Sequence, residues 1–272
     1  MKLRIATCVV LPELDADAAP LAAALDRAGV EHELVAWDDP QADWDANVPT
    51  IIRSTWNYAL DVERYLAWID RIADATVWNP PAIIRNNVYK RYLLGLAARG
   101  VPVIPTTLVE RGAELLAVPR ERIVIKPEVG AGSLNARVFA PGDPAALAHC
   151  AAITARGAAL VQPYIASVED YGERSLIWID GELSHAIRKS PRLSGDTESV
   201  TGPMPIADDE RAVALAALAP IADQILYARC DLVRGANGQP MVMELELVEP
   251  SLFFAKHPPA ADRFVAGLVR RL

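Results

Sequence analysis

Apolar and polar positions alternate in short blocks along the first eighty residues. Leu3 to Val10 is a mostly apolar run that reads as a buried strand. Ala18 to Ala28 repeats apolar residues at helical spacing and closes at Gly29. His32 to Trp37 and Thr50 to Ser54 read as two further strands. Val62, Tyr65, Leu66, Ile69 and Ile72 then mark one face of a second helix. Alternation of this kind predicts a parallel sheet with helices on its faces. Pro80-Pro81 breaks the pattern and marks the first domain boundary.

Past that boundary, Asn86 or Asn87 can cap a helix that runs to Arg99 and stops at Gly100. Strands follow near Thr106 to Val109, Arg122 to Lys126 and Ala136 to Ala140, then a helix from Pro144. Longer strands come later, at Leu160 to Tyr164, Glu173 to Ile179, Leu183 to Lys189, Arg229 to Val233 and Met241 to Leu247. A helix over about Asp208 to Leu226 separates them, and another ends the chain. Pro80-Pro81 and the longer strands from Ala159 onward divide the chain into 1–80, 81–159 and 160–272.

Composition narrows the class. Apolar residues make up 52% and charged residues 23% of the 272, the balance of a folded soluble protein rather than a disordered or fibrous one. The 27 Lys and Arg against 35 Asp and Glu leave a net charge of −8, which argues against non-specific binding to nucleic acid or an anionic membrane. Cys8, Cys150 and Cys230 are too scattered for a disulfide framework or a zinc motif, and fit a reducing cytoplasm. The apolar run Ile5 to Leu11 leads straight into Pro12, Glu13 and Asp15, so it reads as a core strand and not a secretory leader. Ala212 to Ala222 is broken by Pro220 and falls short of the ~20 residues that span a bilayer. Lysine is confined to Lys2, Lys90, Lys126, Lys189 and Lys256, so a step that needs an ammonium has few candidates.

Two hairpins carry chemistry. Asn237-Gly238 favours a two-residue turn, which sets Asp231 opposite Glu244 and puts Glu246 on the same face. Leu232, Met243 and Leu245 then belong to the core face. Three carboxylates side by side repel unless a cation neutralises them, and all-oxygen donors suit Mg²⁺ or Mn²⁺; a solvated acidic face is the plainer alternative. In the second hairpin, Asp180-Gly181 sets Glu173 opposite Arg188, with Ser175, Ser184 and Ala186 on that face. Leu176, Trp178, Leu183 and Ile187 line the other face, and His185 joins them as a core or edge residue. Cys230 reads as packing.

The strand Ile123 to Lys126 ends in one of the rare lysines and leads into Val129-Gly130-Ala131-Gly132-Ser133. There, backbone N–H groups can approach phosphate oxygens without obstruction by a Cβ. The spacing is neither a P-loop nor a dinucleotide fingerprint. Arg53-Ser54-Thr55-Trp56-Asn57-Tyr58 follows a strand end, where open α/β sheets bind ligands. Arg53 could hold a carboxylate, Ser54, Thr55, Asn57 and Tyr58 offer polar contacts, and Trp56 reads as a core plug. Glu249 and Ser251 lie just past the acidic strand, in reach of an amino group.

Two separated lysines, a glycine-rich flap, a Gln-Pro-Tyr segment and acids on two late strands together resemble the ATP-grasp superfamily, over about residues 80–252. The resemblance implies an α/β and α+β fold: a parallel-sheet N-terminal (pre-ATP-grasp) α/β domain, then two α+β subdomains, a small central lid and an antiparallel C-terminal subdomain. It implies that Lys90 and Lys126 contact the phosphates of ATP while the loop Gly130 to Ser133, with Gly132, closes over them. By the same resemblance Gln162, Tyr164 and Ile165 read adenine, Glu169 the ribose, and Asp231, Glu244 and Glu246 hold Mg²⁺. Arg188 matches the cation near the transferred phosphoryl group. The family commonly has Glu-x-Asn where this chain has Glu244-Leu245-Glu246.

The implied chemistry is activation of a small amino acid's carboxylate as an acyl phosphate, with ADP released, and its capture by a nitrogen nucleophile. Arg53 to Tyr58, Trp78 to Pro81, Ser184 to Lys189 and Glu249 to Ser251 resemble the branch of the family that cyclises an O-ureido-serine to D-cycloserine. An intermolecular carboxylate–amine ligase, a hydroxyl kinase and a non-catalytic ATP-sensing module are the alternatives, and a homodimer is left open.

Overall fold

The structure, a computed structural model, describes residues 2–44, 48–190 and 199–272. Three sheets organise the described residues. The first contains β1 (Lys2–Thr7), β2 (Glu31–Ala36), β3 (Thr50–Ser54) and β4 (Val77–Trp78), all parallel in the order β2-β1-β3-β4. β3 is buried on both sides, as a central parallel strand must be. Ile51 faces helix α1 (Ala18–Arg27), and its neighbour Ile52 faces helix α2 (Val62–Arg71). Asp61 caps α2 by accepting the N–H of Arg64 at 3.1 Å. The C-terminal helix α7 (Pro259–Val269) returns to pack beside α1, where burying Phe264 contributes on the order of 2–3 kcal/mol.

A small antiparallel sheet holds β5 (Thr107–Val109), β6 (Ile123–Pro127), β7 (Arg137–Phe139) and β8 (Ala159–Pro163) in the order β5-β8-β6-β7. Helix α5 (Ala145–Thr154) packs on it through Ala146, Cys150 and Ile153. The large antiparallel sheet holds β9 (Glu173–Ile179), β10 (Glu182–Lys189), β11 (Val200–Met204), β12 (Tyr227–Arg234) and β13 (Pro240–Glu246), ordered β11-β10-β9-β12-β13. Helix α6 (Asp208–Leu218) covers the face made by Leu176, Trp178, Ala186, Cys230 and Leu232. α6 ends before Pro220, short of the expected Leu226. β11 and the two-residue β4 carry too little pattern to be seen in the sequence, and Pro203 in β11 is tolerated because that strand is an edge.

The helix expected from Asn86 or Asn87 to Arg99 is two helices, α3 (Pro81–Asn87) and α4 (Tyr92–Ala98). Pro81 occupies the first turn, where its missing N–H is harmless. Asn87 caps neither helix. Its amide donates to the Leu245 carbonyl (2.8 Å) and accepts the Leu247 N–H (2.7 Å), pairing the exposed edge of β13.

Both hairpin registers differ from expectation by one bulge each. The β12–β13 turn is a three-residue loop, closed by Gly235 N–H to Gln239 O at 2.9 Å and by Gly238 at φ +79°. A bulge leaves Met243 unpaired and cancels that shift, so Asp231 does face Glu244. Met243 consequently packs with Ile104 and Val168 beside a cleft rather than in the core with Leu232 and Leu245. The β9–β10 turn forms at Asp180-Gly181 with both residues at positive φ, but a bulge then leaves Ser184 unpaired. Glu173 therefore faces Lys189, and Arg188 faces Arg174 on the opposite side of the sheet. The same bulge buries Ala186 among the core residues and turns His185 toward His257, with ring centroids 5.0 Å apart. Burial, with His257 beside it, holds His185 down to about 4.

The first and large sheets share one apolar core, running from Leu3 and Ile5 through Ile177 and Tyr227 to Phe264. Asn79 stitches them together. Its side chain donates to the carbonyls of Tyr227 and Leu247 at 2.8 Å and accepts the Leu226 N–H at 2.9 Å. Among the described residues no helix is long and apolar enough to cross a membrane.

Candidate active site

A cleft of about 730 Å³ lies where the three sheets meet. Its floor is the exposed face of β12 and β13. Alternation along a strand brings Arg229 and Asp231 to this face from β12, and Glu244 and Glu246 from β13. Arg229 donates to both oxygens of Asp231 at 3.0 Å, bonds Glu246, and donates to the Ser251 carbonyl at 3.3 Å. Lys189 pairs with Glu173 and lies 3.1 Å from Asp231. Lys90 lies 2.8 Å from Glu244 and also donates to the Gly130 carbonyl. Lys126, at the end of β6, lines the cleft opposite them.

This concentration of charge sets the titration of each group. Burial opposes the Lys90 ammonium, but Glu244, Glu246 and Glu249 more than offset it and raise its pKa. Lys126 is lowered, because burial and the Lys90 charge outweigh Glu244. Burial disfavours the Asp231 carboxylate, yet Arg229 and Lys189 overcome this and hold it low. Glu244 is likewise lowered, with burial offset by Lys90 and Lys126. Glu246 is raised by burial and by its acidic neighbours, against Arg229. Glu249 is pushed up to about 8 by burial and by Glu246.

The roof is the loop between β6 and β7, where Gly132 and Ser133 both adopt positive φ. Its base is anchored by the Arg91–Glu128 ion pair and by Lys90 N–H to Glu128 O at 3.1 Å. Gln162, Tyr164 and Ile165 wall one end with Ile104, Val124 and Met243. The Gln162 amide donates to Thr106 at 2.8 Å, and the Tyr164 N–H goes to the Arg122 carbonyl at 2.9 Å. Glu169 is near this wall but does not line the cleft. It is exposed and accepts from Tyr164 (2.7 Å) and Arg122 (2.9 Å), which hold its pKa low.

The other end is lined by Pro12 to Leu14, Asp17, Trp56 to Leu60, Glu249, Ser251 and Phe253. Trp56 is part of this wall and not a core plug, its indole donating to the Glu249 carbonyl at 3.0 Å. Asn57 is held at both ends, by Trp37 and by Asp38, each at 2.7 Å. The Tyr58 hydroxyl is pushed well above its usual range by burial and by Glu249, Glu244 and Glu246.

Several expected positions fall outside the cleft. Arg53, Ser54 and Thr55 still belong to the sheet region, where side chains point into packed layers, and the chain reaches the cleft only at Trp56. Arg53 donates to the Pro250 carbonyl at 2.8 Å, lies 3.4 Å from Asp17, and stacks on Tyr227 and Phe264. Ser54 bonds Thr7, and Thr55 bonds Tyr65. Arg188 lies on the far side of its strand and donates to the carbonyls of Tyr171 and Asp170. Lys189 and Arg229 are the cations found in its place. Arg229 could have been found in the sequence, since the register that pairs Asp231 with Glu244 also pairs Arg229 with Glu246. Lys189 could not, because its orientation depends on the bulge at Ser184.

The oxygen donors of Glu244 and Glu246 suit a hard divalent cation, and their side chains are 21% and 26% exposed to the cleft. Asp231, at 2%, lies beneath them, already engaged by Arg229 and Lys189. Among the described residues no three acids, histidines or cysteines stand together as a ready metal cage.

Comparison with known structures gives the class. The chain superposes on a D-alanine–D-alanine ligase from Bacillus anthracis with a TM-score of 0.71, at 14% identity over 99% of this chain and 96% of that one. It superposes on a RimK-domain ATP-grasp protein from Sphaerobacter thermophilus at 0.69 and 17% identity, over 98% and 99%. The fold is that of the ATP-grasp ligases. Similarity in sequence goes further. The chain is 36% identical to the cycloserine biosynthesis protein DcsG of Streptomyces lavendulae over 99% of its own length and 98% of that protein's. The crystal structure of D-cycloserine synthetase DcsG matches with a TM-score of 0.92 at 35% identity, covering 100% and 99%. Residues 3–79 match the family model of the DcsG N-terminal domain. The chain belongs to the D-cycloserine synthetase family and is an ATP-dependent ligase.

Proposed function

We propose that this ligase activates the carboxylate of O-ureido-D-serine with ATP and closes the isoxazolidinone ring of D-cycloserine. Lys90, Lys126 and the Gly130–Ser133 loop hold the phosphates, and Gln162, Tyr164 and Ile165 wall the adenine end. Mg²⁺ or Mn²⁺ held by Glu244 and Glu246, with Asp231 behind them, would neutralise phosphate charge when bound. Residues 1–80 complete the substrate end, 81–159 with the rest of β8 to Pro163 form the lid, and the remainder to 272 forms the charged floor.

A substrate carboxylate oxygen attacks the γ-phosphorus, the bond to the β–γ bridging oxygen breaks, and ADP leaves. Arg229 and Lys189 face the charge that builds on the transferred group. The nitrogen joined to the side-chain oxygen then attacks the acyl carbon. A C–N bond forms, the C–O bond to phosphate breaks, and the nitrogen's proton passes to a base. Glu249, raised to about 8, is suited to accept it. Water then adds to the carbamoyl carbon, the bond from that carbon to the ring nitrogen breaks, and the nitrogen takes back a proton. The carbamoyl group leaves as carbamic acid, which falls to CO₂ and ammonia. Asn57, Tyr58 and Ser251 line the same end and orient the substrate.

The observation that carries this reading is that the likeness to the cycloserine biosynthesis protein runs through residues 3–79, which supply part of the cleft's substrate end. Coupled ADP release, screened over amino acids and their ureido and aminooxy derivatives, tests it. ADP and a cyclic product from O-ureido-D-serine without added amine are expected. ADP release that requires a second, amine substrate would point to an intermolecular ligase, and none at all to a nucleotide sensor.

A further inference from the structure

Phe253 has φ +52° and ψ +42°, in the left-handed region that a bulky side chain rarely occupies. The conformation is imposed from both sides. One oxygen of Asp17 accepts the N–H of Leu252 at 2.5 Å, and the other accepts the N–H of Phe254 at 2.8 Å, so a single buried carboxylate straddles residue 253. The Phe253 carbonyl accepts the Lys256 N–H at 2.9 Å. Upstream, Trp56 holds the Glu249 carbonyl, Arg53 the Pro250 carbonyl, and Arg229 the Ser251 carbonyl. Such over-determined backbone concentrates where geometry serves function.

What the strained residue presents is its ring. It lines the cleft, and the Arg229 guanidinium lies 5.7 Å from its centroid. Asp231 and Glu246 draw Arg229 toward the floor. An aromatic face constrains the guanidinium plane by cation–π attraction without engaging an N–H, so the Nη1 hydrogen not given to the Ser251 carbonyl stays available to an anion.

We propose that Phe253, locked by Asp17, is a positioning residue that sets the plane of Arg229 for phosphoryl transfer. The proposal rests on the ligase reading above. It links the first sheet's connecting segment, which carries Asp17, to a cation on the floor of the large sheet.

Steady-state ADP release by the full chain with ATP, Mg²⁺ and O-ureido-D-serine tests it. Phe253→Leu keeps bulk and loses the π face; kcat should fall about 10- to 100-fold while the KM for ATP stays within about twofold. Phe253→Tyr should restore most of the loss. Asp17→Asn, which keeps one acceptor and loses the other, should lower kcat in the same way. In an Arg229→Lys background, Phe253→Leu should add no further loss, since the group it positions has gone. Wild-type kcat in Phe253→Leu, an equal drop in Phe253→Tyr, or full additivity with Arg229→Lys would each overturn the positioning role alone. No ADP release from the wild-type chain with any substrate would overturn the ligase reading, and this role with it.

Discussion

Burial acts in the same direction on the two cleft lysines, yet their neighbours decide differently. Lys90 keeps its proton firmly because Glu244 is 2.8 Å away, whereas Lys126 is lowered and gains most from an incoming polyanion. Lys126→Ala and Glu244→Ala should each reduce ADP release by at least about 100-fold with the circular dichroism spectrum unchanged. Arg188→Ala and Arg229→Ala separate two accounts of the second cation. Turnover should persist in the first and fall by about 10²–10³ in the second, because only Arg229 reaches the cleft. Glu249 adds a pH signature. Its folded pKa of about 8 exceeds the unfolded value, so the folded chain binds the extra proton between about pH 4.5 and 8. Stability therefore falls as pH rises through that window. Glu249→Gln should melt higher than the wild type at pH 8.5 and near it at pH 4.5, which a thermal-shift series would read.

Secondary structure shows where pattern suffices. Asp180-Gly181 and Asn237-Gly238 announce hairpins, and both form, with Asp180, Gly181 and Gly238 taking the positive φ that the turns need. Register is another matter. A bulge inserts one residue and reverses which face follows, and nothing at Ser184 or Met243 marks it. In β13 two shifts cancel and the acidic face is legible; in β10 one shift stands alone, so a bulge-free register puts Arg188 where Lys189 stands. The β3 end differs in another way: Arg53, Ser54 and Thr55 are polar, yet they find their partners in Asp17, the Pro250 carbonyl, Thr7 and Tyr65 inside packed layers. Gly238 tests the turn geometry directly. Gly238→Ala meets no steric neighbour but must hold φ +79°, so it should cost about 1–2 kcal/mol and lower the melting temperature by a few degrees. Activity should be unchanged, since the loop is remote from the cleft.

Over the whole chain, strand–helix alternation makes the parallel first sheet readable, while the small lid and the antiparallel C-terminal sheet follow from the resemblance that the order of the motifs carries. The junctions were not readable. Asn79 bridging two sheets and Asp17 reaching the loop after β13 involve partners more than a hundred residues away. Those junctions bring the proposed substrate end, built partly from the first eighty residues, against a charged floor built from the last hundred. The proposed ring closure depends on an acyl phosphate formed between them. O-ureido-D-serine labelled with ¹⁸O in its carboxylate, turned over with ATP and Mg²⁺, reports on that intermediate directly. One labelled oxygen should appear in the inorganic phosphate for each ring closed; phosphate free of label, with both labelled atoms kept outside it, would contradict the mechanism.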